Sequence, residues 1–140
     1  MTSHFPTDDP EAGPLACAAS LRRLVEQVGS PPAAAFVDRF VRLWPGRLHR
    51  LHVAVAGRDA DAGRDAALSL VSGASMAGAL RLAGLGTRLH AQIPDAAGAS
   101  AWHPAELTLA DIDRCCGESL ADVVRLARHI CPSAPGAEPG

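Results

Sequence analysis

The fold is decided by the segment that reads AALSLVSGASMAGA from Ala66 to Ala79. Together with the residues back to Asp59, it can be placed on one α-helix, which turns by about 100° per residue. Small and apolar residues then share one side of the helix: Ala62, Gly63, Ala66, Ala67, Leu70, Gly73, Ala74 and Ala77. Polar residues share the opposite side: Asp61, Arg64, Asp65, Ser72 and Ser75. Leu68 lies on the polar side, roughly 160° from the apolar centre, so we expect it to be exposed.

Outward from this segment, hydrophobic periodicity predicts helices over 15–28, 32–56, 59–76, 79–93 and 109–130. The second helix carries an amphipathic stripe over five turns, and Pro45 is expected to bend it. Residues 94–107 are predicted to form a loop, and Thr108 with Asp111 resembles a capping box at the start of the last helix. Four long amphipathic helices with mostly short connections predict an all-α fold, an antiparallel four-helix bundle with an additional short N-terminal helix.

The composition supports one helical domain over 15–131. Few residues are aromatic or β-branched, whereas alanine and leucine are abundant, which favours helices. Residues 1–14 and 132–140 are rich in proline and polar residues and are expected to be disordered. No apolar run is long enough for a transmembrane span, and the N-terminus lacks the features of a signal peptide, so we expect a cytoplasmic protein without membrane contact.

The segment from Ala66 to Ala79 resembles the signature of histidine phosphotransfer (HPt) domains. In those domains an exposed phospho-accepting histidine is followed by leucine two residues later and, further on, by a Gly-Ala pair. Leu70, Gly73, Gly78 and Ala79 keep much of this pattern, and the lead-in from Gly57 to Ala62 resembles the family as well. The matching residues end with leucines at helical spacing after the Gly-Ala pair, namely Leu82, Leu85 and Leu89. The resemblance covers about residues 15–93, while the last helix fits loosely. This resemblance implies the helical-bundle fold of HPt domains.

The acceptor position itself departs from the family, because Leu68 stands where the resemblance places the histidine. Val71 stands where lysine is common, and Ser72 where glycine is common. A leucine has no lone pair with which to attack a phosphoryl group. The resemblance therefore implies a pseudo-phosphotransfer protein, not an enzyme, that binds a response-regulator receiver domain or a histidine kinase without accepting phosphate. The residues expected to bind the partner are Arg64, Asp65, Leu68, Val71, Ser72 and Ser75.

Two alternatives stay open. Leu68 and Val71, with Leu80, form a small apolar patch among serines that would equally serve a helical interaction module or a homodimer unrelated to phosphorelay. A displaced histidine would instead keep phosphotransfer active, and His49 and His90 are the candidates. His4, His103 and His129 are expected in or near mobile segments.

No other chemistry is indicated. His49 and His52 are three residues apart, but no third metal ligand is evident, so we expect no metal and no cofactor. The four cysteines, Cys17, Cys115, Cys116 and Cys131, are expected to be reduced and incidental. The serines have no base spaced to activate them.

A net charge of −2 does not favour nucleic-acid binding. No aromatic residues are interleaved with the arginines at 47, 50, 58, 64, 81 and 88 to stack on bases. These arginines are expected to form a solvated surface.

Overall fold

The computed structural model describes residues 16–95 and 99–131, and this part of the chain is all-helical. The five α-helices are α1 (Ala18–Val28), α2 (Ser30–Ala56), α3 (Ala60–Ala77), α4 (Leu80–Gln92) and α5 (His103–Ile130), and a 3₁₀ turn at Ala99–Trp102 precedes α5. The segments predicted to be disordered, 1–14 and 132–140, lie outside the described residues, as do Leu15 and His4. Within the described residues, no helix combines the length and the apolar character needed to cross a membrane.

The helix packing encloses one core. α3 packs against both α2 and α4, α5 packs against α4 and α2, and α1 covers one end through contacts with α2, α3 and α5. The predicted inward stripe of α4 is confirmed, since Leu82, Leu85 and Leu89 are all buried, as is Ile93 after its end. The amphipathic stripe of α2 is likewise buried or half-buried along its length, and α2 continues through Pro45. The residues of this stripe are Phe36, Val37, Phe40, Val41, Trp44, Leu48, Leu51 and Val55. Burial of these stripes, at about 25 cal/mol per Å² of apolar surface, is the main force that holds the helices together.

The last helix differs from its prediction. α5 begins at His103, not at Leu109, so the predicted loop over 94–107 is too long and the capping box is wrong. Thr108 is buried inside α5, where its hydroxyl donates a hydrogen bond of 2.6 Å to Oε1 of Gln92 in α4. The loop prediction is too long because Pro104 suggests a loop in the sequence. Proline is nevertheless tolerated in the first turn of a helix, where the N–H that it lacks would have no partner.

The ends of α3 are fixed by local interactions that the sequence indicates. Asp59 is the N-cap, and its carboxylate accepts a hydrogen bond of 3.0 Å from the backbone N–H of Ala62. Gly78 ends the helix in the left-handed conformation, with φ of 86°. The N–H of Cys17, just before α1, donates to the Gly78 carbonyl over 2.7 Å. This hydrogen bond ties the start of α1 to the connection between α3 and α4.

We expect Gly78→Ala to lower the free energy of unfolding by about 2–3 kcal/mol. An alanine there would adopt the left-handed conformation at a cost, and its Cβ would lie 2.8 Å from the backbone oxygen of Cys17. Gly117→Ala is the matched control, because a Cβ at this α5 position meets no atom within 4 Å. It should stabilise the protein slightly by raising helix propensity. Chemical denaturation measures both variants, and equal stability of the two would contradict the argument.

Candidate functional site

Leu68 lies on the outer face of α3, near the middle of the helix, and its exposed fraction is 52%. The prediction that this leucine is exposed is therefore confirmed. Asp61, Asp65, Ser72 and Ser75 are exposed on the same face. Their short side chains leave Leu68 accessible to a large partner.

Two of the predicted partner-binding residues are engaged inside the protein instead. The Arg64 guanidinium donates to the Asp95 carboxylate over 2.5 Å and to the Ile93 carbonyl over 3.4 Å. Val71 is half-buried and packs against α4. A Cβ added at Gly86 of α4 would come within 2.9 Å of a Val71 methyl group. The freely exposed part of the predicted site is thus Asp65, Leu68, Ser72 and Ser75.

The Leu68 face lies above closely packed helices. On the inner side of α3, Gly73 lies against α2, where an added Cβ would overlap Nη1 of Arg47 and come within 3.3 Å of the Phe40 ring. Gly86 of α4 is also closely packed, because a Cβ added there would come within 2.8 Å of a Leu70 methyl group. These contacts show that the absence of side chains at Gly73 and Gly86 lets the helices approach closely. Because neighbouring helices hold α3 on both sides, the backbone beneath Leu68 is rigidly positioned.

A groove of about 720 Å³ runs between α2 and α3 on one side of the Leu68 face. Asp65 and Ser69 line it from α3, and His49, Arg50 and Val53 line it from α2. Ala62, predicted on the buried side of α3, is exposed and lines this groove. The prediction for Ala62 is wrong because the small side chains of α2 and α3 leave the seam between the two helices open toward solvent.

A second, smaller groove of about 270 Å³ lies between α1 and α3, at the other end of the Leu68 face. Ser75 and Met76 line it from α3, and Arg23 and Gln27 line it from α1. Val53, with an exposed fraction of 57%, thus adds apolar surface to the first groove, and Met76, with 46%, adds it to the second. Sequence reasoning missed both residues, although their departure from the buried stripes was a usable signal.

Leu80, which the sequence grouped with Leu68 and Val71, does not extend this surface. It is the half-buried first residue of α4. It lies past the end of α3, so its backbone is at least about 14 Å along the helix axis from Leu68.

The histidines within residues 16–95 and 99–131 do not come together. His49 is exposed on α2, whereas His52 on the same helix lies 2.9 Å from the Asp113 carboxylate of α5. His90 is half-buried on α4, His103 begins α5 and His129 lies in its last turn. Among the residues that the structure describes, no cluster of three metal-ligating side chains occurs.

The cysteines have different environments. The pKa of Cys17 lies below its ordinary value, chiefly because the backbone N–H of Ser20 at the start of α1 hydrogen-bonds the sulfur. Burial raises the pKa of Cys115, which lies 3.2 Å from the Ser119 hydroxyl. Neither thiol lines either of the grooves that flank Leu68.

Comparison with known proteins adds no assignment. No protein-family model matches the chain, and no curated protein or solved structure matches it.

Proposed function

We propose that the chain is a degenerate HPt protein that binds a receiver domain, or a histidine kinase, without accepting phosphate. Leu68 occupies the position of the acceptor histidine, and the surface around it is the docking face. The protein then acts in two-component signalling as a decoy or scaffold in the cytoplasm, and it is not an enzyme. The observation that carries this proposal is the exposure of a leucine at the middle of a helix whose inner side is tightly packed.

The packing of the helices supports the proposal at the level of the fold. The contacts of α3 with α2 and α4, and of α5 with α4 and α2, support an arrangement as an antiparallel four-helix bundle, with α1 as the additional short helix. Turns of a few residues join α2, α3 and α4.

The chemistry of Leu68 supports the loss of phosphotransfer. Accepting a phosphoryl group requires a nucleophilic atom with a lone pair, and an aliphatic side chain has none. The same side chain is well suited to a binding role, because full burial of a leucine contributes about 1.5–3 kcal/mol. Exposed Val53 and Met76 add apolar surface in the two grooves beside α3.

The test measures binding to a set of receiver domains, each with and without beryllofluoride, which mimics the aspartyl phosphate. We expect Leu68→Asp to weaken binding of the cognate receiver at least about tenfold, since a carboxylate would be buried in an apolar contact. Leu107→Asp is the matched control, because Leu107 is exposed to a similar fraction, 56%, but lies on α5. Equal affinities of the two variants would place the docking face elsewhere.

The same samples report on phosphotransfer. Incubation with radiolabelled phospho-receiver should leave the native chain unlabelled. Stable label that is lost in His49→Gln or His90→Gln would overturn the pseudo-acceptor assignment in favour of a displaced histidine.

A homodimer is the second candidate, and the exposed residues Val53, Leu68 and Met76 are the observation in its favour. Sedimentation equilibrium distinguishes the two functions. A monomer whose mass rises only with a receiver supports the first, whereas a dimer that Leu68→Asp dissociates supports the second.

A further inference from the structure

The side of α4 that faces away from the core carries positive charge, and the helix contains no acidic residue. The leucines of α4 face inward, toward its main neighbours α3 and α5. Arg81 and Arg88 are seven residues apart, so they share one side of the helix and are about 10 Å apart along its axis. Gly84 lies between them, and all three residues are half-buried. These three residues define the α4 outer face.

The charges of α5 leave this face positive. Arg81 lines a groove of about 230 Å³ between α4 and α5, together with Asp111, Arg114 and Glu118. Asp111 is paired with Arg114 one turn later on α5, so these two charges offset each other. Glu118 opposes an acidic ligand at the Arg81 end. Arg88 lies about two turns farther along α4, so the face as a whole favours an acidic ligand.

The chain that precedes α1 arrives beside the first turn of α4. The backbone N–H of Cys17 donates a hydrogen bond of 2.7 Å to the carbonyl of Gly78, two residues before α4 begins at Leu80. Residues 1–15 therefore join the described part of the chain at the end of α4 that is nearest Arg81.

Residues 1–15 match the α4 outer face in charge and in spacing. They contain three acidic residues, Asp8, Asp9 and Glu11, and no lysine or arginine. Their three prolines favour an extended backbone, both at the prolines and at the residues before them. In a polyproline II conformation, which has three residues per turn, Asp8 and Glu11 lie on one side and about 9 Å apart. This spacing is close to the separation of Arg81 and Arg88.

The length of the segment is also sufficient. Glu11 is five residues before Ala16, and an extended chain of that length reaches about 16 Å, whereas Asp8 reaches about 26 Å. Along the axis of α4, Arg81 lies roughly 5 Å and Arg88 roughly 15 Å beyond Gly78. Both carboxylates can therefore reach the arginines, with length left over for the turn onto the helix surface.

A second basic surface lies close to Ala16, but its charge is already neutralised. It is a groove of about 460 Å³ that Arg125 and His129 of α5 line beside Ala16. Asp122 also lines this groove and is paired with Arg125. The acidic segment would meet a carboxylate there, so the α4 outer face is the better match.

We propose that residues 8–11 dock on the α4 outer face of the same chain and form an intramolecular strap, with Glu11 toward Arg81 and Asp8 toward Arg88. Guanidinium and carboxylate groups form charge-assisted hydrogen bonds. Gly84 has no side chain, so the backbone of the strap can approach the helix between the two arginines. A segment that docks in an extended form needs no core of its own, which agrees with the composition of residues 1–14.

The strap would stabilise the helix that is intrinsically weakest. α4 is shorter than α2, α3 and α5, and Gly84 and Gly86 lower its helix propensity. The contact involves no receiver domain and does not use Leu68, so it does not rest on the proposed function.

The experiment measures how fast a glutamate-specific endoprotease cleaves the full chain after Glu11, with mass spectrometry to identify the product. Docking shields this bond, so we expect Arg81→Gln with Arg88→Gln to accelerate cleavage about threefold to tenfold, as for the loss of two exposed ion pairs. Arg22→Gln, at an exposed position of α1, is the matched control and should leave the rate unchanged. Glu118→Gln should slow cleavage, because it removes the opposing charge.

Variants of the acidic segment keep the test independent of the stability of α4. Asp8→Asn with Asp9→Asn leaves every helix unaltered and should also accelerate cleavage after Glu11. Asp8→Arg should do the same, and its combination with Arg88→Asp should restore slow cleavage. Restoration by this exchange of charges would assign Arg88 as the partner of Asp8.

Equal cleavage rates in the native chain and in Arg81→Gln with Arg88→Gln would overturn the strap, as would an equal acceleration by Arg22→Gln. Acceleration by Arg125→Gln alone would place the acidic segment on α5 and would overturn the assignment to α4. Rates that depend on protein concentration would make the occupant a second copy of the chain and would overturn the intramolecular contact. Each of these failures would leave the proposed function untouched.

Discussion

Leu68→His is expected to convert the chain from one that takes no label into one that takes phosphate from a bound phospho-receiver. The imidazole would stand on the outer face of α3, where Leu68 is half exposed and Ser72 and Ser75 leave room. The backbone beneath it is already fixed by the contacts of Gly73 and Gly86. The substitution therefore supplies a nitrogen with a lone pair at this position without requiring the backbone to move.

The measurement is transfer of radiolabel from phosphorylated receivers, with the acid lability of phosphohistidine as the chemical identification. Leu107→His is the control, because it adds an equally exposed imidazole on α5, remote from the predicted docking face. Label on both variants would indicate adventitious transfer. Absence of label on Leu68→His, with a receiver that binds it, would show that docking does not bring the phosphoryl group to this position.

Trp102→Ala is expected to lower the free energy of unfolding by about 3–5 kcal/mol, as is typical when a large buried aromatic side chain is removed. Trp102 ends the 3₁₀ turn before α5, and only 2% of it is exposed. The indole joins the core cluster that includes Leu109 and Ile112. Its loss would leave a cavity at the start of α5 and loosen the first turns of that helix.

Thermal and urea denaturation measure the loss, and amide hydrogen exchange reports where it occurs. We expect exchange to accelerate over the first turns of α5 more than in α3. Leu107→Ala, which removes an exposed side chain from the same turns, should change stability by less than about 0.5 kcal/mol. If Trp102→Ala were as stable as this control, burial of the Trp102 indole would not stabilise the start of α5.

The two local elements that define α3 were predictable because they depend on neighbouring residues. Asp59 caps the helix through a hydrogen bond to a residue three positions later, and Gly78 takes a backbone conformation that other residues avoid. The exposure of Leu68 followed from angular position on one helix. None of these requires knowledge of any other helix.

The start of α5 was not predictable in the same way. The residues before Leu109 include proline, glycine and several alanines, which favour a loop when local preference alone is counted. Burial of Trp102 and the hydrogen bond from Thr108 to Gln92 extend the helix by six residues. Both interactions join residues on different elements, so tertiary packing overrides the local preference.

The amino-acid sequence by itself determined the all-helical class, most of the inward-facing residues and the exposed leucine, because helical periodicity and end-capping act over a few neighbouring residues. Only the tertiary structure decided which of the predicted surface residues remain available, since pairing of Arg64 with Asp95 and packing of Val71 over Gly86 join separate elements. It also decided the groove beside Leu68, because a groove exists only where two helices meet and their small side chains fail to fill the seam.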